Sequence, residues 1–166
     1  GLAVLGWDMA GRHYTVEEGR LYRCAARSPE ALVAFCKDRG IRTVIDFRFP
    51  DRAVTAEAQA LAAIGVRHLN LATDQIPPDS VVERFLEIMD DRSNDPVLIH
   101  CTHGVGRSGL FMAIYRMEYQ GWSQKQAWLE ALAVASFGSF RPGSAKERYL
   151  FAYQTRTNRP TPRPSP

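Results

Sequence analysis

The chain has 166 residues, of which 45% are hydrophobic and 23% charged, as is typical of one soluble globular domain. These values exclude a disordered chain and a collagen-like fibre, and no apolar run reaches the roughly 18–20 residues that cross a membrane. The net charge of +3 is too small to indicate nucleic-acid binding. Three of the 21 basic residues are lysine and the rest are arginine. This excess reflects either codon bias or an affinity for phosphate and carboxylate groups.

The two ends of the chain differ from its middle. Residues 1–16 are predicted to form an N-terminal extension and residues 17–156 one folded domain. Residues 157–166 are predicted to be a flexible tail, because proline and arginine dominate there and cannot build a core. The N-terminus lacks the basic region and cleavage pattern of a complete signal peptide. A cytoplasmic location is expected by default, with an exported or membrane-anchored protein whose N-terminus has been trimmed as the alternative.

Strands and helices alternate along the domain. In chain order we predict a strand at 21–24, a helix from Pro29 that stops at Gly40, a strand at 43–47, a helix at 53–64, a strand at 66–71, a helix from near Ser80, a strand at 96–100, and helices near 108–120, 123–136 and 144–156. This order predicts an α/β fold, a central and mostly parallel sheet of four to five strands flanked by about six helices. Ligands bind such sheets at the carboxyl ends of the strands.

The segment after the last predicted strand carries a thiol and an arginine. Cys101 ends the strand, and Arg107 follows at the start of the next helix. The loop between them comprises Thr102, His103, Gly104, Val105 and Gly106. Its glycines permit a tight curl that points backbone N–H groups inward, where they and the helix N-terminus can bind a phosphate. Arg107 would close this site with two parallel hydrogen bonds.

The same surroundings favour a reactive cysteine. Helix N-termini and nearby cations lower the pKa of a thiol from about 8.5 into the range of about 3.5–7.5. We therefore expect Cys101 to be a thiolate nucleophile at neutral pH. The hydroxyl of Ser108 could donate a hydrogen bond to the sulfur and assist its departure as a leaving group.

These residues resemble a known family. Residues 97–109 fit the HC-x5-R-[S/T]-G signature of the cysteine-dependent protein tyrosine phosphatases. The segments 19–24 and 40–48 are similar to the opening of compact dual-specificity-type phosphatases, and the turn at 121–123 resembles the bacterial members. The resemblance covers roughly residues 17–155. It implies the protein tyrosine phosphatase-like fold and a phosphocysteine intermediate without a cofactor.

The resemblance also implies a general acid and a supporting histidine. In the family an aspartate on a mobile loop protonates the leaving oxygen. Asp74 follows the predicted strand at 66–71 and is the leading candidate, whereas Asp79 is better explained as a cap or first-turn charge of the next helix. His100 is assigned the family's role of supporting the loop by hydrogen bonding.

Several other residues leave alternatives open. Asp46 and Arg48 end a strand on the ligand side and form either a structural ion pair or part of the site. His103 either lies on the surface or contacts substrate. Arg141 is either structural or near the site. Cys24 could protect an oxidised Cys101 by forming a disulfide, which requires Cα atoms within about 7 Å.

The histidines outside the loop do not suggest a metal. His13 and His68 have no cysteine or acidic residue at ligand spacing, so we predict no metal site.

The leading functional prediction is a phosphomonoester hydrolase that acts on phosphotyrosine, with or without phosphoserine and phosphothreonine. One alternative is an inositol-phosphate or phosphoinositide phosphatase, in which the family often places lysine within the loop. The loop here contains none. A second alternative is a non-catalytic module that binds phosphoproteins. We expect a monomer with phosphate or another oxyanion in the loop and no nucleic-acid partner.

Overall fold

The computed structural model of the chain describes residues 7–8, 13–102, 106–135 and 138–159. The strands are β1 (Trp7–Asp8), β2 (His13–Glu17), β3 (Leu21–Ala25), β4 (Thr43–Asp46), β5 (Arg67–Asn70) and β6 (Val97–Cys101). The helices are α1 (Pro29–Arg39), α2 (Arg52–Ala62), α3 (Asp79–Asp90), α4 (Arg107–Gln120), α5 (Gln124–Val134) and α6 (Ala145–Ala152). Each strand and helix predicted from the sequence is present.

All strands join one sheet in the order β1-β2-β3-β6-β4-β5. The four strands from β3 to β5 in this order are parallel, which confirms the predicted α/β fold with a mostly parallel sheet. Strands β1 and β2 extend it with antiparallel pairs. Strand β2 lies mostly within residues 1–16, which the sequence analysis assigned to an extension outside the domain. The aromatic and β-branched run Tyr14–Val16, followed by a turn at Gly19, was the signal for this hairpin.

Helix ends follow the local sequence signals. The Ser28 side chain accepts a hydrogen bond from the backbone N–H of Ala31, and Gly40 closes α1 in the left-handed conformation with φ of 64°. Ser123 and Gln126 form the predicted capping box at the start of α5. Helix α3 begins at Asp79, which has no capping hydrogen bond and serves as a first-turn charge.

Two hydrophobic clusters cover opposite faces of the sheet. Val44 and Leu98 lie in one cluster, whereas their chain neighbours Ile45 and Ile99 lie in the other. This division follows from the alternation of side chains along a strand. Helix α4 lies within the larger cluster and is buried around most of its circumference. Its first residue is thereby fixed against the carboxyl end of β6. No helix in the described ranges is long and apolar enough to span a membrane.

Candidate active site

Cys101 is the last residue of β6, which has parallel neighbours on both sides. Its side chain is 3% exposed and lies in the larger hydrophobic cluster. Helix α4 begins six residues later at Arg107, so the thiol and the helix N-terminus meet at one edge of the sheet. Within the predicted loop the structure describes Thr102 and Gly106. His103, Gly104 and Val105 lie outside the described residues, so the predictions for them stay open.

Gly106 is required by close packing. Its φ is −84°, so the left-handed conformation expected for the loop glycines is absent at this position. A Cβ atom here would lie 2.8 Å from both Gln75 Oε1 and Lys146 Nζ. A larger residue would therefore displace the ends of these two side chains, which hydrogen-bond to each other.

Arg107 connects the loops that follow three parallel strands. Its Nη1 donates to the carbonyl oxygens of Phe47 and Thr73, each at 3.2 Å. Its Nη2 donates to Thr102 Oγ1 at 3.1 Å. The Nε is buried and has no hydrogen-bond partner among the described residues. The guanidinium is therefore held in place with a donor to spare, which suits an oxyanion ligand.

Ser108 lies beside the cysteine, as the sequence predicts. Its Oγ is 3.6 Å from Cys101 Sγ, within hydrogen-bond distance for sulfur, and both side chains are buried. When Cys101 is ionised, the Ser108 hydroxyl is placed to donate to it.

Two buried cations that the sequence analysis missed face the thiol. Burial lowers the pKa of Arg23, on β3, to about 10, and the negative charge of Cys101 acts against this shift. Burial lowers the pKa of Lys146, on α6, to about 8, again opposed by Cys101. Because such attraction is mutual, both cations stabilise the thiolate. An arginine at a fully buried strand position was the available signal for Arg23.

His100 is held by acidic residues from two elements. Its Nε2 lies 2.7 Å from Glu57 Oε2 on α2 and 3.7 Å from Asp46 Oδ2. Arg48 pairs with the same two carboxylates at 2.7 and 3.0 Å, so Asp46 and Arg48 do form an ion pair. Glu57 on α2 thus anchors the ring of His100, which sequence spacing could not reveal. The other ring nitrogen, Nδ1, has no hydrogen-bond partner among the described residues, so the support of the loop by His100 stays a prediction.

His68 joins this cluster, which corrects the expectation that it has no acidic partner. Its Nε2 lies 3.0 Å from Glu57 Oε2 and 3.3 Å from Asp46 Oδ2. Burial acts to lower the pKa of His68, but hydrogen bonds to Asp46 and Glu57 outweigh it and raise the pKa to about 9. His68 is then a cation at neutral pH.

The cluster is balanced without an ion. Asp46, Glu57 and His100 bring possible ligand atoms within 4.8 Å of one another. Burial acts to raise the pKa of Asp46, but hydrogen bonds from His68 and Arg48 hold it well below its usual range. Two cations thus neutralise two carboxylates, and a divalent metal would have to displace both.

The loop after β5 is attached to the site on both sides of Asp74. Thr73 accepts the hydrogen bond from Arg107, and Gln75 Oε1 accepts one from Lys146 Nζ at 2.5 Å. The Asp74 side chain is exposed. Its neighbours in the chain contact the site, but the role of Asp74 as the general acid stays a prediction, whereas Asp79 is the first residue of a different element, α3.

A cleft of about 780 Å³ opens over the thiol. The described residues that line it are Gln75, Ile76, Cys101, Thr102, Gly106, Arg107, Gly138, Ser139, Arg141, Gly143, Ser144, Ala145 and Lys146. Arg141 is therefore next to the site. The proposed redox partner is not: Cys24 lies in the smaller cluster on the opposite face of the sheet from Cys101, and neither cysteine is part of a disulfide.

The sheet, the thiol at the end of its central strand and the arginine that begins the next helix define the protein tyrosine phosphatase fold class. The chain belongs to the family described as DSP-PTPase phosphatase fused to NAD+ kinase, which matches residues 8–150.

Proteins named as phosphatases resemble this chain in sequence and in fold. The dual specificity protein phosphatase TpbA of Pseudomonas aeruginosa is 36% identical over 121 residues, which cover 71% of this chain and 52% of that protein. The chain thus spans about half the length of the curated relatives it matches first. A TpbA structure in complex with pTyr superposes with a TM-score of 0.68 at 27% identity and covers 88% of this chain and 94% of that one. The catalytic core of the yeast PP-IP phosphatase Siw14 shares the fold, with a TM-score of 0.71 at 20% identity over 86% of this chain and 85% of that one.

Proposed function

We propose that this protein hydrolyses phosphomonoesters through a phosphocysteine on Cys101. The observation that carries the proposal is the placement of Arg107, which lines the same cleft as Cys101. Its Nη1 is bonded to the carbonyls of Phe47 and Thr73, and its Nε has no partner among the described residues. Family membership supports the same activity.

Each step of the reaction has a candidate residue. The Cys101 thiolate attacks phosphorus, the ester P–O bond breaks, and Asp74 donates a proton to the departing oxygen. Arg107 binds the equatorial oxygens, over which charge spreads during transfer. Water then attacks the phosphocysteine and gives a proton to Asp74. The S–P bond breaks, and the Ser108 hydroxyl stabilises the released thiolate, so the enzyme is regenerated with phosphate as product.

Arg23 and Lys146 are positioning residues in this scheme. They keep Cys101 ionised before attack and make it a better leaving group afterwards. Glu57 and Asp46 orient His100, the residue directly before the nucleophile.

The proposed substrate class is phosphotyrosine and related monoesters, supported by the TpbA structure in complex with pTyr. The test is phosphate release from p-nitrophenyl phosphate and from a phosphotyrosine peptide. Cys101→Ser should abolish both activities, whereas Cys36→Ser, a matched change at a buried thiol in the smaller cluster, should retain them. Hydrolysis that survives in Cys101→Ser contradicts the proposal. Binding of the peptide without hydrolysis by the wild type would indicate a phosphoprotein-binding module.

A further inference from the structure

The cleft over Cys101 extends well past the phosphate-binding loop. Its far side is formed by the segment between α5 and α6 and by the first turn of α6. Its volume of about 780 Å³ lies within the range of roughly 300–1,000 Å³ typical of sites for whole ligands. The cleft therefore accommodates a substrate body in addition to the phosphoryl group that reacts.

The charges along the cleft have one sign. Among the described residues that line it, Arg107, Arg141 and Lys146 are basic and none is acidic. Arg107 serves the reacting group and Lys146 is attracted by the Cys101 thiolate, which leaves Arg141 with no assigned ligand. A cleft lined by one sign of charge attracts ligands of the opposite sign.

Lys146 is a buried cation with only neutral hydrogen-bond partners in the described part of the chain. It is 4% exposed, and its Nζ donates to Gln75 Oε1 at 2.5 Å and Ser139 Oγ at 2.7 Å. An ammonium group has three donors, so one remains for a ligand. Cys101 is the negative group that acts on its charge, and burial remains costly for the ammonium group, so a second anion in the cleft would stabilise it further.

Arg141 is the cation with no assigned ligand. Its side chain is exposed and makes no hydrogen bond or ion pair with any described residue. By contrast, the guanidinium groups of Arg48, Arg116 and Arg156 are paired with carboxylates. An unused planar fork beside the cleft suits bidentate binding of phosphate oxygens.

We propose that Lys146 and Arg141 form a second anion subsite, and that among small phosphomonoesters the enzyme prefers those that bear a second phosphate group. The inference rests on the proposed function, because the first phosphate is the one that Cys101 attacks. Ser139 and Ser144 also line the cleft, so their hydroxyls can add donors to this subsite. Both anion sites lie in one cleft, so one compact scaffold carries both phosphates.

Lys146 supplies the positive charge that the sequence of the phosphate-binding loop lacks. The absence of lysine from residues 102–106 favoured phosphotyrosine over polyphosphorylated substrates in the sequence analysis. Helix α6 brings a lysine to the same place from elsewhere in the chain, where its Nζ would touch a Cβ atom on Gly106. Loop composition alone therefore underestimates the positive charge that a substrate meets.

The test compares kcat/KM for matched pairs of substrates: an adenosine monophosphate against an adenosine bisphosphate, and an inositol monophosphate against an inositol bisphosphate. We expect the wild type to prefer the bisphosphate in at least one pair by about tenfold or more, the effect of one or two charge-assisted hydrogen bonds. The pair in which the bisphosphate is preferred shows whether the scaffold that carries the phosphates is adenosine or inositol. Arg141→Gln and Lys146→Gln should each reduce this preference by about tenfold.

Two control variants remove the same charges outside the cleft. Arg148→Gln changes an exposed arginine of α6, and Lys125→Gln changes an exposed lysine of α5. Both should keep the wild-type preference. Because Arg141 is exposed, its replacement should not impair folding. Arg141→Gln therefore tests the second anion subsite even if Lys146→Gln does not fold.

Three results would overturn the subsite. Cys101-dependent hydrolysis of monophosphates with no preference for either bisphosphate would refute the subsite and leave the proposed function intact. If Arg141→Gln and Lys146→Gln lower kcat/KM equally for the monophosphate and the bisphosphate, the two cations act on the reacting phosphate and not on a second one. A preference for acidic phosphopeptides over every small bisphosphate would assign the cleft to protein substrates. Failure of the proposed function is distinguishable, because hydrolysis would then be absent for all substrates or independent of Cys101.

Discussion

His100 Nε2 lies 2.7 Å from Glu57 Oε2, so helix α2 holds the residue that precedes the candidate nucleophile. Glu57 also contacts Arg48 and His68. One carboxylate thus connects the loop after β4, strand β5 and the end of β6. This arrangement fixes the edge of the sheet where the thiol lies.

The first prediction concerns the pH dependence of folding through His68. Its folded-state pKa is raised to about 9 from the usual 6.5, because Asp46 and Glu57 stabilise the protonated ring against the effect of burial. This contribution is therefore fully present below pH 6.5 and is lost as the pH rises to about 9. It amounts to at most about 3 kcal/mol. Urea unfolding of wild type and His68→Gln across this range should show a falling free energy of unfolding that is largely absent in the variant. If the free energy of unfolding falls equally with pH in the wild type and in His68→Gln, His68 is not the source of the pH dependence.

The second prediction concerns the buried cation Arg23. Arg23→Met removes a positive charge that attracts the Cys101 thiolate, so the pH midpoint for alkylation by iodoacetate should rise by about one unit. Phosphate should protect the wild-type thiol. Circular dichroism establishes whether the variant folds, and Arg23→Lys, which keeps the charge, should restore most of the reactivity. An unchanged midpoint in a folded Arg23→Met would show that this arginine is only structural.

The third prediction concerns Arg107. Lysine keeps the charge but lacks the planar fork with which the guanidinium bonds two carbonyls through one nitrogen and keeps other donors for an oxyanion. Arg107→Lys should lower kcat/KM for p-nitrophenyl phosphate by about a hundredfold or more, the effect of lost transition-state hydrogen bonds. The matched change Arg84→Lys, at an exposed arginine of α3, should have no effect. Near-normal kinetics in Arg107→Lys would refute the proposed loop geometry.

The fourth prediction identifies the general acid. Asp74→Asn should lower kcat for alkyl and tyrosyl phosphates by roughly 10²–10⁴-fold, because their leaving groups require a proton. The loss should shrink for an ester with a low-pKa leaving group, and the basic limb of the pH–rate profile should flatten.

Asp79→Asn is the matched control for this acid. It removes a first-turn charge of α3 and should cost only about 1 kcal/mol of stability or less. If Asp79→Asn shows the leaving-group dependence and Asp74→Asn does not, the two roles must be exchanged.

The sequence by itself determined the order of the elements and the location of the loop that carries the chemistry. Serine caps, the glycine that stops α1 and the alternation of strands and helices are local patterns, and the structure confirms them. The spacing from Cys101 to Arg107 is equally local, because a strand, a tight loop and a helix N-terminus follow one another directly. Such patterns act over a few residues, so they can be read before the fold is known.

Only the tertiary structure decided which distant side chains surround that loop. Arg23, Glu57 and Lys146 come from β3, α2 and α6, and no spacing in the chain links them to Cys101. In sequence, a lysine on a helix or a glutamate in an alanine-rich helix is typical of a solvated surface. Lys146 is buried at the cleft over the thiol and Glu57 is buried against His100, because parallel strands from separate parts of the chain end at one edge and helices α2 and α6 pack beside it. The charge balance of the site is therefore a property of the packed fold.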